Sequence, residues 1–238
     1  MRLEDWIEEE VITESILDRG VFKAVFMGGS AGSGKSYVLK KIKSGSIEPR
    51  VVNVDVFIEK FGNYSYEDFY DRSKHLTVNQ LTLYIDSCLP LFIDITSTEP
   101  TNTVKRYNIL ENLGYDMAIV FVNTSLETAI ERNRQRKRVI PDELVQDYHD
   151  KAQKMKGFLR TKFPLFLEVK NDTGELTDDV VLHAFKKMEF FYDSPVKNPI
   201  GQQHLQRMRE NGWKYLTPNI FTMGELKQMT SQWYRSTM

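Results

Sequence analysis

The run Gly29-Ser30-Ala31-Gly32-Ser33-Gly34-Lys35-Ser36 constrains this chain more than any other feature. It fits G-x-x-x-x-G-K-[ST] at every position. The apolar run Val21-Phe22-Lys23-Ala24-Val25-Phe26-Met27 precedes it and suits a buried strand, and a helix is predicted to start near Lys35. In that strand–turn–helix setting, glycines let the backbone approach phosphate oxygens and point its N–H groups at them. The helix N-terminus adds partial positive charge. Gly29, Gly32, Ser33 and Gly34 would wrap the phosphates, with Tyr37 just beyond. Lys35 would reach the β- and γ-phosphates, and the Ser36 hydroxyl would ligate Mg²⁺. The motif points to a nucleoside triphosphate without saying what is done with it.

Four further short apolar runs have strand character, at 50–54, 91–94, 117–122 and 166–169. Helical patterns lie between them. After Pro100, residues Val104, Tyr107, Leu110 and Leu113 share a face, and Gly114 is the stop. Thr77-Val78-Asn79-Gln80 and Thr124-Ser125-Leu126-Glu127 read as capping boxes opening helices, Pro141 suits a first helical turn, and Thr177-Asp178-Asp179 caps a last helix. Strands alternating with helices predict an α/β fold in three layers, a five-stranded parallel sheet with helices on both faces. In such sheets ligands bind beyond the carboxyl ends of the strands. Three regions follow: an amphipathic helix within 1–20, the α/β domain over 21–193, and an irregular, base-rich and aromatic extension over 194–238.

At 238 residues the chain is one large domain or a domain with an appendage, taking about 150 residues per domain. Lys and Arg number 32 against 33 Asp and Glu, which excludes a generally basic nucleic-acid coat protein but not a local basic patch. One cysteine, Cys88, excludes an internal disulfide, and with four scattered histidines it leaves no zinc-site spacing. Cys88 reads as a buried thiol, which fits a reducing cytoplasm. No apolar run is long enough to span a membrane, and the acidic N-terminal segment does not read as a signal peptide.

Residues just after the strands carry the chemistry. Asp55 follows the second strand, where a carboxylate can accept the proton of an attacking hydroxyl, or serve only as a helix N-cap. Asp94 ends the third strand and can hold a water of the Mg²⁺ shell, or cap the strand end. Thr96 and Thr98 come next as substrate contacts, and Arg72, in the helical region after Asp55, is a further substrate-side candidate. Arg132, Arg134, Arg136, Lys137 and Arg138 form a dense basic run after the fourth strand. Arginines there can clamp a transferring phosphoryl group, and Arg132 and Arg136 would share a helix face. A solvated helix face is the plainer alternative. So dense a run between a helix and Pro141 reads better as a lid, residues 132–142, closing over the nucleotide.

These residues form one connected pattern. Gly29 to Ser36, Asp55, Phe92-Ile93-Asp94-Ile95-Thr96, and Leu113-Gly114-Tyr115-Asp116-Met117-Ala118-Ile119-Val120-Phe121-Val122-Asn123-Thr124 with the following Arg132-Asn133-Arg134-Gln135-Arg136 resemble the P-loop kinases of the zeta-toxin and polynucleotide-kinase group, especially bacteriophage-carried members. The resemblance covers residues 21–172. It implies that Lys35 and Ser36 bind ATP and Mg²⁺, that Asp55 activates the acceptor hydroxyl, and that Arg132, Arg136 and Arg138 are lid arginines. One departure stands out: many zeta-like members have Asp-Gly-Thr where this chain has Asp94-Ile95-Thr96, and isoleucine lacks glycine's freedom. The acceptor is then a nucleic acid or nucleotide hydroxyl, or alternatively the sugar hydroxyl of a nucleotide-sugar. A binding module that uses ATP without phosphoryl transfer is the reading from another class. Arg207, Arg209, Lys214 and Arg235 interleave with Trp213, Tyr215, Phe221, Trp233 and Tyr234, a mixture suited to single-stranded nucleic acid. A tail packed on the core, or an oligomer contact, would use the same residues.

Overall fold

Apolar side chains alternate along the central strands, and that alternation sets the layers. The structure, a computed structural model, describes residues 20–42, 49–60, 66–95, 99–136, 139–172, 178–212 and 220–234. The expected helix within residues 1–20 falls outside them, apart from Gly20. The sheet contains β1 (Lys23–Gly28), β2 (Arg50–Val52), β3 (Leu91–Asp94), β4 (Asp116–Asn123) and β5 (Leu165–Lys170). All pairings are parallel, in the order β2-β3-β1-β4-β5. Ala24, Phe26, Met117, Ile119 and Phe121 point into one core; Val25, Met27, Ala118, Val120 and Val122 point into the other. Strands buried on both faces read as continuous apolar runs, which is why they were visible in the sequence.

Described helices cover both faces. Those on one face are α3 (Tyr66–Asp86), α4 (Pro100–Asn112) and α6 (Asp142–Lys162); those on the other are α1 (Lys35–Ile42) and α7 (Asp178–Asp193). Short helices α2 (Asp55–Lys60) and α5 (Leu126–Arg134) lie at the strand ends. Two capping expectations need correction. Thr77 is inside α3, where its hydroxyl donates to the Ser73 carbonyl at 2.7 Å, so the helix begins well before it. The cap of α5 is Ser125, one residue on, whose Oγ accepts from the Thr128 N–H. Thr124 instead donates to the Asn171 carbonyl.

Cys88 is buried as expected, but it stands in a turn just past α3, at φ 54°. Burial, with a contribution from Asp86, pushes its thiol up to about 12. Three units above the ordinary value leaves about 10³-fold less thiolate, the reactive form. Alkylation of the native protein should therefore run at least about 10²-fold slower than that of a free thiol. A rapid single-site adduct by mass spectrometry would contradict this.

The tail after Ser194 is not irregular throughout, as the sequence suggested. It contains α8 (Pro199–Glu210) and α9 (Met223–Thr230), both packed on the α3–α4 face through Leu205, Leu226 and Trp233. Trp233 is 1% exposed, so its ring is no stacking face for nucleic acid. Trp213, Lys214, Tyr215 and Arg235 lie outside the described residues. At Gly201, α8 passes so close to the Gly114 carbonyl that a Cβ would overlap it.

The start of the tail is fixed by charge. Lys23, fully buried on β1, donates to Asp116 Oδ2 at 2.7 Å, to Ser194 Oγ and to the Pro195 carbonyl. Asp116 also accepts from the Lys197 and Asn198 backbone N–H groups at 2.8 and 2.9 Å. Removing one member of such a pair leaves the other buried and uncompensated. Asp116→Ala should lower unfolding free energy by about 3–5 kcal/mol in urea titrations. A loss under about 1 kcal/mol, the size of a surface pair, would mean the carboxylate does not neutralise Lys23.

Candidate active site

Parallel register brings the strand ends together. Met27 is paired with Asp94, Gly28 with Phe121 and Asn123 with Lys170, so the residues after β1, β3, β4 and β5 share one edge of the sheet. The loop from Gly29 to Gly34 lies at its centre. Gly29, Gly32 and Gly34 have φ of 138°, 78° and 87°. At Gly34 the requirement is double: φ is left-handed, and a Cβ would strike the Asn171 amide. Ser33 is buried and its Oγ has no hydrogen-bond partner among the described residues. Ser36 and Tyr37 are exposed in the first turn of α1.

Lys35 Nζ curls over the loop and donates to the Gly29 and Ser30 carbonyls at 3.0 and 3.1 Å. Burial pulls its ammonium below the usual lysine range, and Asp94 and Asp55 pull it back. Asp94 lies within electrostatic reach of it. Burial pushes the Asp94 carboxyl up; the Lys35 charge opposes this and the Asp55 charge reinforces it. Asp94 Oδ2 accepts from Asn53 Nδ2 at 2.9 Å, while Oδ1 is buried with no partner among the described residues. Asp55 is exposed at the first position of α2, and its N–H donates to Asn53 Oδ1 at 2.8 Å. Asn53 therefore caps α2 and leaves the Asp55 carboxylate out of that task.

The two lid arginines do not share a helix face, because α5 ends at Arg134. Arg132 turns to the loop, donating to the Ser33 carbonyl at 3.4 Å and to Asn171 Oδ1 at 3.5 Å. Arg136 is exposed past the helix end, and its charge reaches both Lys35 and Asp94. Arg134 pairs with Asp142 instead. Arg138, Thr96 and Thr98 lie outside the described residues, and Arg72 is exposed on α3.

Three important residues were not singled out from the sequence. Asn171, directly after β5, donates to the Ser33 carbonyl at 2.8 Å and spaces Arg132 from the loop; the strand-end rule applied to β5 would have found it. Asn133 is fully buried, and its amide bonds both the Ile140 carbonyl and N–H, drawing together the segment between α5 and α6. Arg106, on α4, is within electrostatic reach of Asp94, and nothing in the sequence pattern marked it.

Among the described residues, no group of three or more His, Cys, Asp or Glu side chains could hold a metal ion. A magnesium ion would therefore depend on phosphate oxygens, the Ser36 hydroxyl and Asp94. The orphaned acceptor Asp94 Oδ1 suits the hydrogens of a metal-bound water, so the residues fit the ion. None of the helices is long and apolar enough to cross a membrane among the described residues.

A family model described as an AAA domain matches residues 25–155, more than half of the chain. No curated protein matches it. A presumed kinase from Chloroflexus aurantiacus J-10-fl is similar in structure, with 13% identity and a TM-score of 0.51 over 71% of this chain and 97% of that one. Shikimate kinase from Bacteroides thetaiotaomicron has 14% identity and a TM-score of 0.44, over 72% and 99%. A chain of the Pnkp1/Rnl/Hen1 RNA repair complex has 19% identity and a TM-score of 0.48, over 60% and 47%. The likeness to the first shows the fold, a three-layer P-loop kinase arrangement.

Proposed function

We propose, since the chain belongs to the AAA domain family, that it is an ATP- and Mg²⁺-dependent kinase transferring the γ-phosphate to a hydroxyl of a nucleic acid or nucleotide-type acceptor. The observation that carries this reading is the placing of two carboxylates near Lys35. Buried Asp94 keeps one oxygen free of partners, and Asp55, released from capping by Asn53, stands exposed beside the cleft. A module that only binds nucleotide has no use for the second carboxylate.

Asp55 takes the proton of the acceptor hydroxyl as its oxygen attacks the γ-phosphorus. Lys35, Arg132 and Arg136 stabilise the charge on the transferring group, and the loop N–H groups hold the phosphates in line. Lys35 exchanges its bonds to the Gly29 and Ser30 carbonyls for phosphate oxygens. Ser36 and Asp94 would hold the Mg²⁺, which supplies neutralisation of phosphate charge. Arg138 and Thr96 complete the proposed lid and substrate contacts, and Arg72 the substrate side. Nucleic acid, if it is the acceptor, is recognised in this cleft more than by the tail, whose Trp233 is buried.

The test is transfer of labelled γ-phosphate from ATP to 5′-hydroxyl DNA and RNA, nucleosides and UDP-N-acetylglucosamine. Label on a nucleic acid or nucleoside supports the reading. Label on the nucleotide-sugar alone would shift it to zeta-type chemistry. No label with any acceptor, while ATP is still bound, would favour a binding module.

A further inference from the structure

Arg106 has its guanidinium in the interior, an expensive place for a group that is always charged. The rings of Trp233 and Tyr234 lie 5.4 and 5.1 Å from it, and its Nε–H points to the Trp233 carbonyl at 3.5 Å. Both aromatic residues follow α9, which is fastened to α3 by the buried Thr82–Thr230 hydroxyl pair at 2.7 Å. The end of the tail therefore clamps this one side chain. The same cluster borders the acceptor side of the cleft. Asp94, Tyr70 and Glu99 are within electrostatic reach of Arg106, and Tyr234, hydrogen-bonded to Thr77, is within reach of Asp55.

We propose that Arg106, held in plane by Trp233 and Tyr234, anchors the acceptor, and that the acceptor carries a phosphate close to the hydroxyl being phosphorylated. The inference rests on the kinase reading above. A guanidinium offers a planar fork to two phosphate oxygens, and two ring faces fix the orientation of that fork. Exclusion of water strengthens the pairing. Lys35, Arg132 and Arg136 gather at the phosphate loop; Arg106 approaches Asp94 from α4 and the tail, so its charge serves the other substrate. Trp233 and Tyr234 act through Arg106 and are positioning residues.

The experiment compares labelled phosphoryl transfer to thymidine, thymidine 3′-monophosphate and 5′-hydroxyl oligothymidylate. Both phosphate-bearing acceptors should exceed thymidine in kcat/KM by about tenfold or more. A preference for the monophosphate marks a mononucleotide as the source of the phosphate, and one for the oligomer marks a nucleic acid. Arg106→Gln should raise the KM of either phosphate-bearing acceptor about 10- to 100-fold and leave the KM for ATP within about twofold. Arg106→Lys should recover part of the loss, and Tyr234→Ala should raise acceptor KM in the same direction. If Arg106→Gln does not fold, the other two variants carry the comparison. Thymidine used as well as its 3′-monophosphate, or KM values for ATP and acceptor rising together, overturns the assignment and leaves the kinase reading standing. Should no acceptor be labelled, calorimetry with thymidine 3′-monophosphate and a non-hydrolysable ATP analogue separates the two. Binding that is lost in Arg106→Gln supports the anchor even as the kinase reading falls; equal binding, or none in the parent chain, overturns the anchor.

Discussion

Lys35→Ala is expected to lower labelled phosphoryl transfer by at least about 10²–10³-fold, the scale of losing one preorganised charge at a developing oxyanion. Lys35 is buried between the loop carbonyls and two carboxylates, so no solvent cation can take its place. The fold should survive, since the side chain holds only backbone carbonyls of its own loop. A circular-dichroism melt near that of the parent chain checks this. Turnover above about a tenth of the parent value would remove Lys35 from the reaction and with it the placing of the γ-phosphate.

Asp55→Asn should cost about 10²–10⁴-fold in kcat, the range for losing a positioned general base. Its diagnostic value lies in what stays unchanged. The amide is the same size, and the Asp55 N–H would still donate to Asn53, so α2 keeps its cap. ATP affinity, measured by calorimetry, should stay within about threefold of the parent value. An affinity that collapses along with kcat would make Asp55 part of nucleotide or metal binding. An unchanged kcat would end the general-base assignment.

The sheet was legible because its signal is local and repeated. At 91–94 the expected and observed strands coincide, and those at 117–122 and 166–169 each grew by one residue at either end. Strand 50–54 was overextended, since Asn53 leaves the ladder to bond Asp94 and cap α2. The phosphate loop was legible because its chemistry is written in contiguous residues. What escaped depends on contacts between distant segments. Thr77 carries the letters of a capping box, yet a helix already running through it uses its hydroxyl against Ser73. The tail's prolines and aromatics suggested irregularity, but Pro199 occupies the first turn of a helix capped by Asn198. Arg106 looks like any polar position on an amphipathic helix; only Trp233, 127 residues on, marks it out. Asp94 could be placed at the ligand edge from sequence, but its orphaned oxygen could not.

The tail touches the domain at both ends of the sheet. It starts beside Lys23, 171 residues away in sequence, and finishes against Arg106, next to the cleft. Such distant closures are slow to form, because the intervening chain must be ordered first. During synthesis the phosphate loop emerges early, and the last element of the acceptor wall emerges some 200 residues later, at roughly 5–20 residues per second. A ribosome-bound chain would thus pass through a stage able to hold ATP before it can choose what to phosphorylate.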